Sequence, residues 1–478
     1  MEDNKAFIHQ FSTYNNDYVY DVNTNEILKI NKECGEILKC VQKGEIGVQA
    51  IEHNEVLNKI KAHGYLSSHR LSEIIHPEDE LLEFRLNNKL NMVILQVTQQ
   101  CNLRCSYCPY SGGYYNREHA NKKMNFDIAK RAIDFYMNRS ADSEALSVSF
   151  YGGEPLLEFE LIKKCIDYVE SKAEGKKAFF NMTTNATLLT SEIVRYMQQH
   201  NIDLMVSLDG PEQAHDKNRD FYGGKGTFET VVERLEMVKE QFPEFFKTIT
   251  FNCVMDLDND FGCVSEFFTS FDVIKDSHIN FSSLNDDHAK DKRNVNKEDY
   301  VSKYNYELFK LFLSKIGRFD EKNVSKMVLG YYSNLQTKIF QERRTEGQRE
   351  KGHPGGPCVP GAQRLFVDIY GNLYPCERVN ESSKAMRIGH IDQGFYMDKA
   401  REILNIGKLT EESCKNCWAY RFCSLCASAA DDLTELSAER KSEGCRGVKA
   451  GIDRMMKDYC ILKENGDSFE SIKLVEYI

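Results

Sequence analysis

Three cysteines on one short loop, Cys101, Cys105 and Cys108, have the spacing C-x3-C-x2-C. Three thiolates placed this closely can hold three corners of a [4Fe–4S] cube. The fourth iron is then open to chelate a small molecule through an amine and a carboxylate, and methionine carries both. Structural zinc is the competing chemistry. It prefers four ligands in a closed site, and no histidine follows until His119. A second concentration runs from Cys358 through Cys376, Cys414, Cys417, Cys423 and Cys426 to Cys445. Seven thiolates exceed one site, so two [4Fe–4S] clusters, or one cluster and a zinc, are open to them. The odd count does not divide into the closed four-ligand sites of a zinc ribbon. The other six of the sixteen cysteines are scattered: Cys34, Cys40, Cys165, Cys253, Cys263 and Cys460. Isolated cysteines behave as small hydrophobes. Cys460 stands apart because it follows a helical stretch, GVKAGIDRMMKDYC, close to the second concentration.

The first loop follows directly on a strand-like run, VILQVT. Five further runs, ALSVSFY, AFFNMTTN, DLMVSLD, TITFNCVM and HINFSSL, are separated mostly by helical stretches such as NFDIAKRAIDFYMNR and LEFELIKKCIDYVESKA. Such alternation predicts an α/β fold with βαβ units and a parallel sheet. Six strands fit an open, partial barrel, with active groups on loops at the carboxyl ends of the strands. Polar residues fall at those ends. Gly152, Gly153 and Glu154 close the second strand, the glycines allowing close backbone approach to a ligand and the carboxylate able to accept from an ammonium. Thr184 and Asn185 close the third strand. Ser207 and Asp209 close the fourth, Asp209 with Gly210 reading as a turn. Arg219 follows, and a guanidinium suits a carboxylate.

Around this barrel, at 89–284, three other regions are expected. Residues 1–88 read as strands (YVYDV, EILKI) followed by helices, a winged-helix-like order. Residues 285–357 are a charged, mostly helical bridge ending in GHPGGP. Residues 358–478 are rich in cysteine and loops, with a hairpin, RLFVDI-YGN-LYPC, presenting Cys376 at its end. The 478 residues are 41% hydrophobic and 28% charged, ordinary for a soluble globular protein. No apolar run reaches 18 residues, so no membrane span is expected. The opening MEDNKAFIHQF lacks a basic-then-apolar signal pattern, so the cytoplasm is the expected compartment. A net charge of −11 argues against a nucleic-acid partner.

The C-x3-C-x2-C loop after a strand, with an aromatic residue before the third cysteine, resembles the radical SAM superfamily. The resemblance implies that the loop's cluster binds S-adenosylmethionine (SAM) and reduces it to methionine and a 5′-deoxyadenosyl radical, which takes a hydrogen atom from substrate. It also implies that Glu154 faces the methionine amine, and that Arg219 clasps the carboxylate with Ser207 and Asn185 nearby. The pattern from Gly371 to Cys376, then C-x2-C-x5-C-x2-C and a final cysteine, is similar to the SPASM extension. That extension implies two auxiliary [4Fe–4S] clusters, three clusters in all. Its outer cluster would take Cys414, Cys417, Cys423 and Cys445, and its inner one Cys358, Cys376 and Cys426. This chain departs from the pattern by having two residues, not three, between Cys423 and Cys426. The inner site lacks a fourth ligand, so either Cys460 supplies it or one iron is open to a substrate thiolate.

FSTYNNDYVYDVNTNEILKINKE resembles the element with which peptide-modifying relatives bind a precursor's leader as an added strand. Together these regions look like a thioether-forming peptide maturase of the sactipeptide or ranthipeptide type. Its implied partners are a cysteine-rich precursor peptide and an electron donor such as flavodoxin or ferredoxin. An anaerobic sulfatase maturase is the alternative enzyme. It would place a proton acceptor, usually aspartate, at Glu377. An iron–sulfur sensor is the alternative without catalysis, but a sensor has no need of a SAM pocket.

Overall fold

The computed structural model describes residues 4–340, 345, 347, 349–354 and 358–469; part of the GHPGGP loop, 355–357, lies outside them. The chain opens with an antiparallel meander, β1 (Ile8–Ser12), β2 (Asp17–Asp21) and β3 (Glu26–Ile30). Alternation gives this sheet two apolar faces. Val19 packs with Leu38, Val41 and Leu57 of the helices that follow. Tyr18 and Tyr20 face the other way, toward Tyr420, Ile452 and Met456. The first helix, Lys32–Lys43, starts where the Asn31 side chain accepts from the Cys34 N–H and ends at Gly44 in a left-handed conformation, both ordinary helix signals. β1 was not expected, because IHQFS shows no clean alternation of apolar and polar residues.

A short strand, β4 (Glu73–Ile74), leads to the six parallel strands. These are β5 (Val93–Thr98), β6 (Ala145–Gly152), β7 (Lys177–Thr184), β8 (Ile202–Ser207), β9 (Thr250–Met255) and β10 (His278–Ser283). They lie side by side in sequence order, and each coincides with an expected run. Every residue of β5 is buried, as a strand covered on both faces requires. Helices Phe126–Met137 and Phe159–Lys172 are two of the crossovers; the first begins where the Asn125 side chain caps Ile128 N–H.

The sheet does not stop at β5. Beyond β11 (Lys351–Gly352), which pairs with β4, the strand β12 (Leu365–Val367) lies parallel to β5, with Leu365 opposite Val93 and Val367 opposite Leu95. Its hairpin partner β13 (Asn372–Tyr374), then β14 (Gly389–His390) and β15 (Gly394–Phe395), extend the sheet antiparallel to ten strands. The cysteine-rich segment therefore shares a sheet with the parallel strands. Helices Glu298–Lys315 and Lys326–Asn334 form the bridge.

The last described helix, Cys445–Glu464, packs on the N-terminal meander. Glu464 accepts from the side chains of Thr13, Asn16 and Tyr18, each at 2.7 Å. His9 bonds Asp453 at 2.8 Å and stacks on Trp418, next to Cys417, with centroids 3.6 Å apart. Among the described residues no helix is long and apolar enough to cross a membrane.

Candidate active site

β5 hands the chain to the first cysteine loop, and β6 fixes that loop in place. Gly153 N–H donates to Thr98 O and Glu154 N–H to Gln100 O, both at 2.9 Å. A Cβ on Gly152 would lie 2.2 Å from Thr98 O, and one on Gly153 would lie 2.0 Å from Gln100 O. The two glycines were expected to admit a ligand. What crowds them is the backbone of the cysteine loop, so their first task is to let β6 press against it.

Cys101, Cys105 and Cys108 then line a cavity of about 200 Å³. With them stand Tyr107, Tyr110, His119, Tyr151, Gly152, Gly153, Glu154, Thr184, Asn185, Ser207 and Arg219. All six residues expected to bind the cofactor are thus brought to the three thiols. Burial pushes the Cys101 thiol up to about 12 and the Cys108 thiol up to about 11, so without a cation both hold their protons, and a metal must displace them to bind. Four thiolates on a single tetrahedral zinc stand about 3.8 Å apart. Among the described residues, the set of three ligating groups with donor atoms within 4.8 Å of one another is Asp167, Glu170 and His200. No cysteine belongs to it, so the sulfurs of Cys101, Cys105 and Cys108 do not all lie within 4.8 Å of one another.

Glu154 is 1% exposed. Its carboxylate accepts from Thr184 Oγ1 at 2.7 Å, Asn185 N–H at 2.8 Å and Leu156 N–H at 3.0 Å. Burial raises its pKa and those donors oppose the rise. A carboxylate offers about four lone-pair sites, so one remains for an ammonium in the cavity. Asn185 Nδ2 reaches Asn102 Oδ1 at 2.9 Å, tying the end of β7 to the cysteine loop.

Asp209 is not the simple turn residue expected. It is buried, and Arg219 Nε donates to its Oδ2 at 2.8 Å. Val254 N–H donates to its Oδ1 at 3.0 Å, and Tyr107 O–H also bonds to it. Arg219, itself 6% exposed, leaves Nη1 on the cavity side, 4.0 Å from Cys105 Sγ. A bidentate grip on a ligand carboxylate would have to displace Asp209; a single hydrogen bond from Nη1 would not.

The seven C-terminal cysteines separate into a three and a four. Cys376 is pushed up to about 11 by burial, then by Glu377 and by the Cys358 and Cys426 thiols beside it. Cys417 is pushed up by burial, with Cys414 and Cys423 adding to it, and Cys423 feels Cys414 and Cys445. Cys460 joins neither. It is 3% exposed, and its electrostatic neighbours are Tyr18, Tyr459 and Glu464. Glu377 is buried beside the three-cysteine group, with one carboxylate oxygen on Arg364 and the other without a partner. Burial pushes up the pKa of Tyr151, which lines the cavity, and Glu377, Cys108 and Glu381 add to the rise.

Sequence reasoning passed over Glu381. It accepts from Gln96, Tyr110 and Arg117, each at 2.7 Å, and so joins β5, the cysteine loop and the C-terminal segment. An acidic residue in a loop carries no local sign of such a role.

A model of the radical SAM superfamily matches residues 95–261. An uncharacterized protein of Methanocaldococcus jannaschii is 35% identical over 161 residues, 34% of this chain and 53% of that protein. The radical SAM cyclopropyl synthase TigE of Paramaledivibacter caminithermalis is 24% identical over 43% of this chain and 45% of its own length. The chain thus spans about half the length of these two relatives. A cysteine-type anaerobic sulfatase-maturating enzyme of Clostridium perfringens is 25% identical over 75% of this chain and 94% of its own. The solved structure of native anSMEcpe with bound AdoMet superposes with a TM-score of 0.57 at 21% identity, over 77% of this chain and 99% of that one. The radical SAM fold is one that binds SAM and a [4Fe–4S] cluster. Residues 95–261 are thus similar to the radical SAM superfamily, and three quarters of the chain is similar to a sulfatase-maturating enzyme.

Proposed function

We propose that this chain is a radical SAM enzyme that installs thioether crosslinks in a ribosomally made, cysteine-rich precursor peptide, joining a cysteine sulfur to a carbon of another residue. What supports the reading is the group Cys358, Cys376 and Cys426, which among the described residues has no fourth cysteine as an electrostatic neighbour and has the unpartnered Glu377 oxygen next to it. Such a group leaves room for a substrate thiolate where a closed cluster would not. When bound, SAM and the three [4Fe–4S] clusters supply a hydrogen-abstracting 5′-deoxyadenosyl radical and an acceptor for the surplus electron.

The protein's own part is positioning. Cys101, Cys105 and Cys108 hold the first cluster. Glu154 takes the methionine ammonium on its free lone pair. Asp209 and Tyr107 fix Arg219 so that its Nη1 meets the carboxylate, with Ser207 and Asn185 alongside. Cys358, Cys376 and Cys426 hold the inner cluster, and Cys414, Cys417, Cys423 and Cys445 the outer one. Glu377, adjacent to Cys376, has an unpartnered oxygen that can take the thiol proton. Residues 1–88 offer the leader an edge: β3 has β2 as its partner in a three-stranded sheet, and strand addition needs a free edge. The reductant is a flavodoxin- or ferredoxin-like donor, and the setting is cytoplasmic.

A sulfatase-maturase reading is favoured by the 94% coverage of the Clostridium perfringens enzyme. It leaves the N-terminal meander without a task, and Glu377 is not the aspartate that family usually has.

The test uses anaerobically reconstituted full-length protein, a strong reductant, SAM and a panel of synthetic cysteine-rich precursor peptides. A peptide of the panel is expected to lose two hydrogens per crosslink, with a thioether in its fragmentation spectrum. The Cys101/Cys105/Cys108→Ala variant should release no 5′-deoxyadenosine. An aldehyde in the product would overturn the thioether reading and favour the maturase.

A further inference from the structure

Lys441 is 2% exposed, and lysine is almost never fully buried without a partner of opposite charge. Among the described residues no carboxylate lies within ion-pair distance of it. The nearest acids in its neighbour helix are turned away: Glu411 accepts from Ile74 N–H and bonds Lys415, and Glu412 also bonds Lys415. The Lys441 ammonium instead donates to Thr410 Oγ1 at 2.6 Å and to Cys414 Sγ at 3.7 Å. Thr410 Oγ1 is itself 3.2 Å from Cys414 Sγ. The cation therefore bears on Cys414, one of the four cysteines of the outer group.

We propose that Lys441 is a positioning residue for the outer cluster: a buried cation that serves as its counter-charge and sets its reduction potential. The inference rests on the reading that Cys414, Cys417, Cys423 and Cys445 hold a [4Fe–4S] cluster. One-electron reduction makes such a cluster one unit more negative, and the external reductant, dithionite in the titration below, is oxidised by giving up that electron. A fixed cation against a ligand sulfur stabilises the more negative form more than the other. Net charge and hydrogen bonds to sulfur are established controls of these potentials. Lys441 thus poises the outer cluster to accept an electron from the inner side of the molecule. In a nonpolar site the same geometry without the cation would resist reduction.

The test is an anaerobic potentiometric titration of the full-length reconstituted protein with dithionite, followed by electron paramagnetic resonance. Iron content is measured in parallel. Lys441→Met is expected to keep its iron and to lower the midpoint of one cluster. At the original midpoint its reduced-to-oxidised ratio should fall at least tenfold, equivalent to about 59 mV for one electron. Lys441→Arg should restore the ratio to within about threefold. Loss of one cluster's iron in Lys441→Met but not in Lys441→Arg would also support a counter-charge. Loss in both would show a packing role and overturn the inference, as would unchanged midpoints with full iron. The Cys414→Ala/Cys417→Ala variant separates the two levels. If its iron does not fall, the outer group holds no cluster and the reading beneath fails with the inference. If iron falls and the Lys441→Met midpoints are unmoved, only the inference fails.

Discussion

Replacing Asp209 by asparagine removes one charge from a closed set. Asp209 takes Arg219 Nε at 2.8 Å, Val254 N–H at 3.0 Å and the Tyr107 hydroxyl, and the pair is buried at 1% and 8% side-chain exposure. Breaking a buried pair by removing one partner costs about 3–5 kcal/mol, because the other charge stays buried and uncompensated. The asparagine amide adds a donor that must face Arg219 Nε or Val254 N–H, both donors themselves. Asp209→Asn should therefore lower stability by about 4 kcal/mol. Arg219→Met on top of it removes the orphan charge and should recover at least about 2 kcal/mol, since coupled neighbours depart from additivity by up to about 3 kcal/mol. The assay is urea unfolding of the metal-free protein under anaerobic reducing conditions, followed by circular dichroism for the wild type, both single variants and the double variant. A cost below about 1 kcal/mol for Asp209→Asn, or a double variant equal to the sum of the singles, would refute the coupling.

Gly153→Ala puts a methyl 2.0 Å from Gln100 O, and backbone cannot give way cheaply; iron per chain should fall by about four, measured by colorimetric iron assay, while Gly330→Ala, in open space, should keep it. Cys460→Ala should retain full iron content and peptide modification, with only a small cavity cost to thermal stability; loss of a cluster would return Cys460 to the ligand set. His215 is pushed down to about 3 by burial, then by Arg219. The unfolded chain therefore binds a proton that the native state refuses between pH 6.5 and about 3, and stability should drop as pH falls through that window by up to about 1.4 kcal/mol per unit. His215→Gln should flatten that slope in pH-jump denaturation.

The six parallel strands were legible because each is a short apolar run ending in polar or glycine residues, and the cysteine spacings marked the segments able to hold metal. What the sequence concealed depends on distant partners. Asp209 reads as a turn residue because Gly210 follows it, and only the folded chain brings Arg219, Tyr107 and Val254 around its carboxylate. Gly152 and Gly153 read as ligand contacts because the loop that crowds them lies some fifty residues earlier in the chain. Glu381, Lys441 and Tyr151 carry no motif, and their roles come from what surrounds them. β12 looked like half of an isolated hairpin, since nothing in RLFVDI names β5 as its neighbour.

That pairing of β12 with β5 governs the order in which the molecule can be made. β5 ends at the cysteine loop, and one of its two flanks stays bare until Leu365 to Val367 arrive to cover it. During synthesis the nascent strand waits, through most of the chain's translation, as an apolar edge of the kind that recruits other chains. Iron delivered before that moment meets a loop whose supporting strand is half dressed. Expression with slow translation or scarce chaperones should therefore yield aggregate ahead of soluble apoprotein, and truncation before residue 365 should be worse tolerated than loss of the first strands.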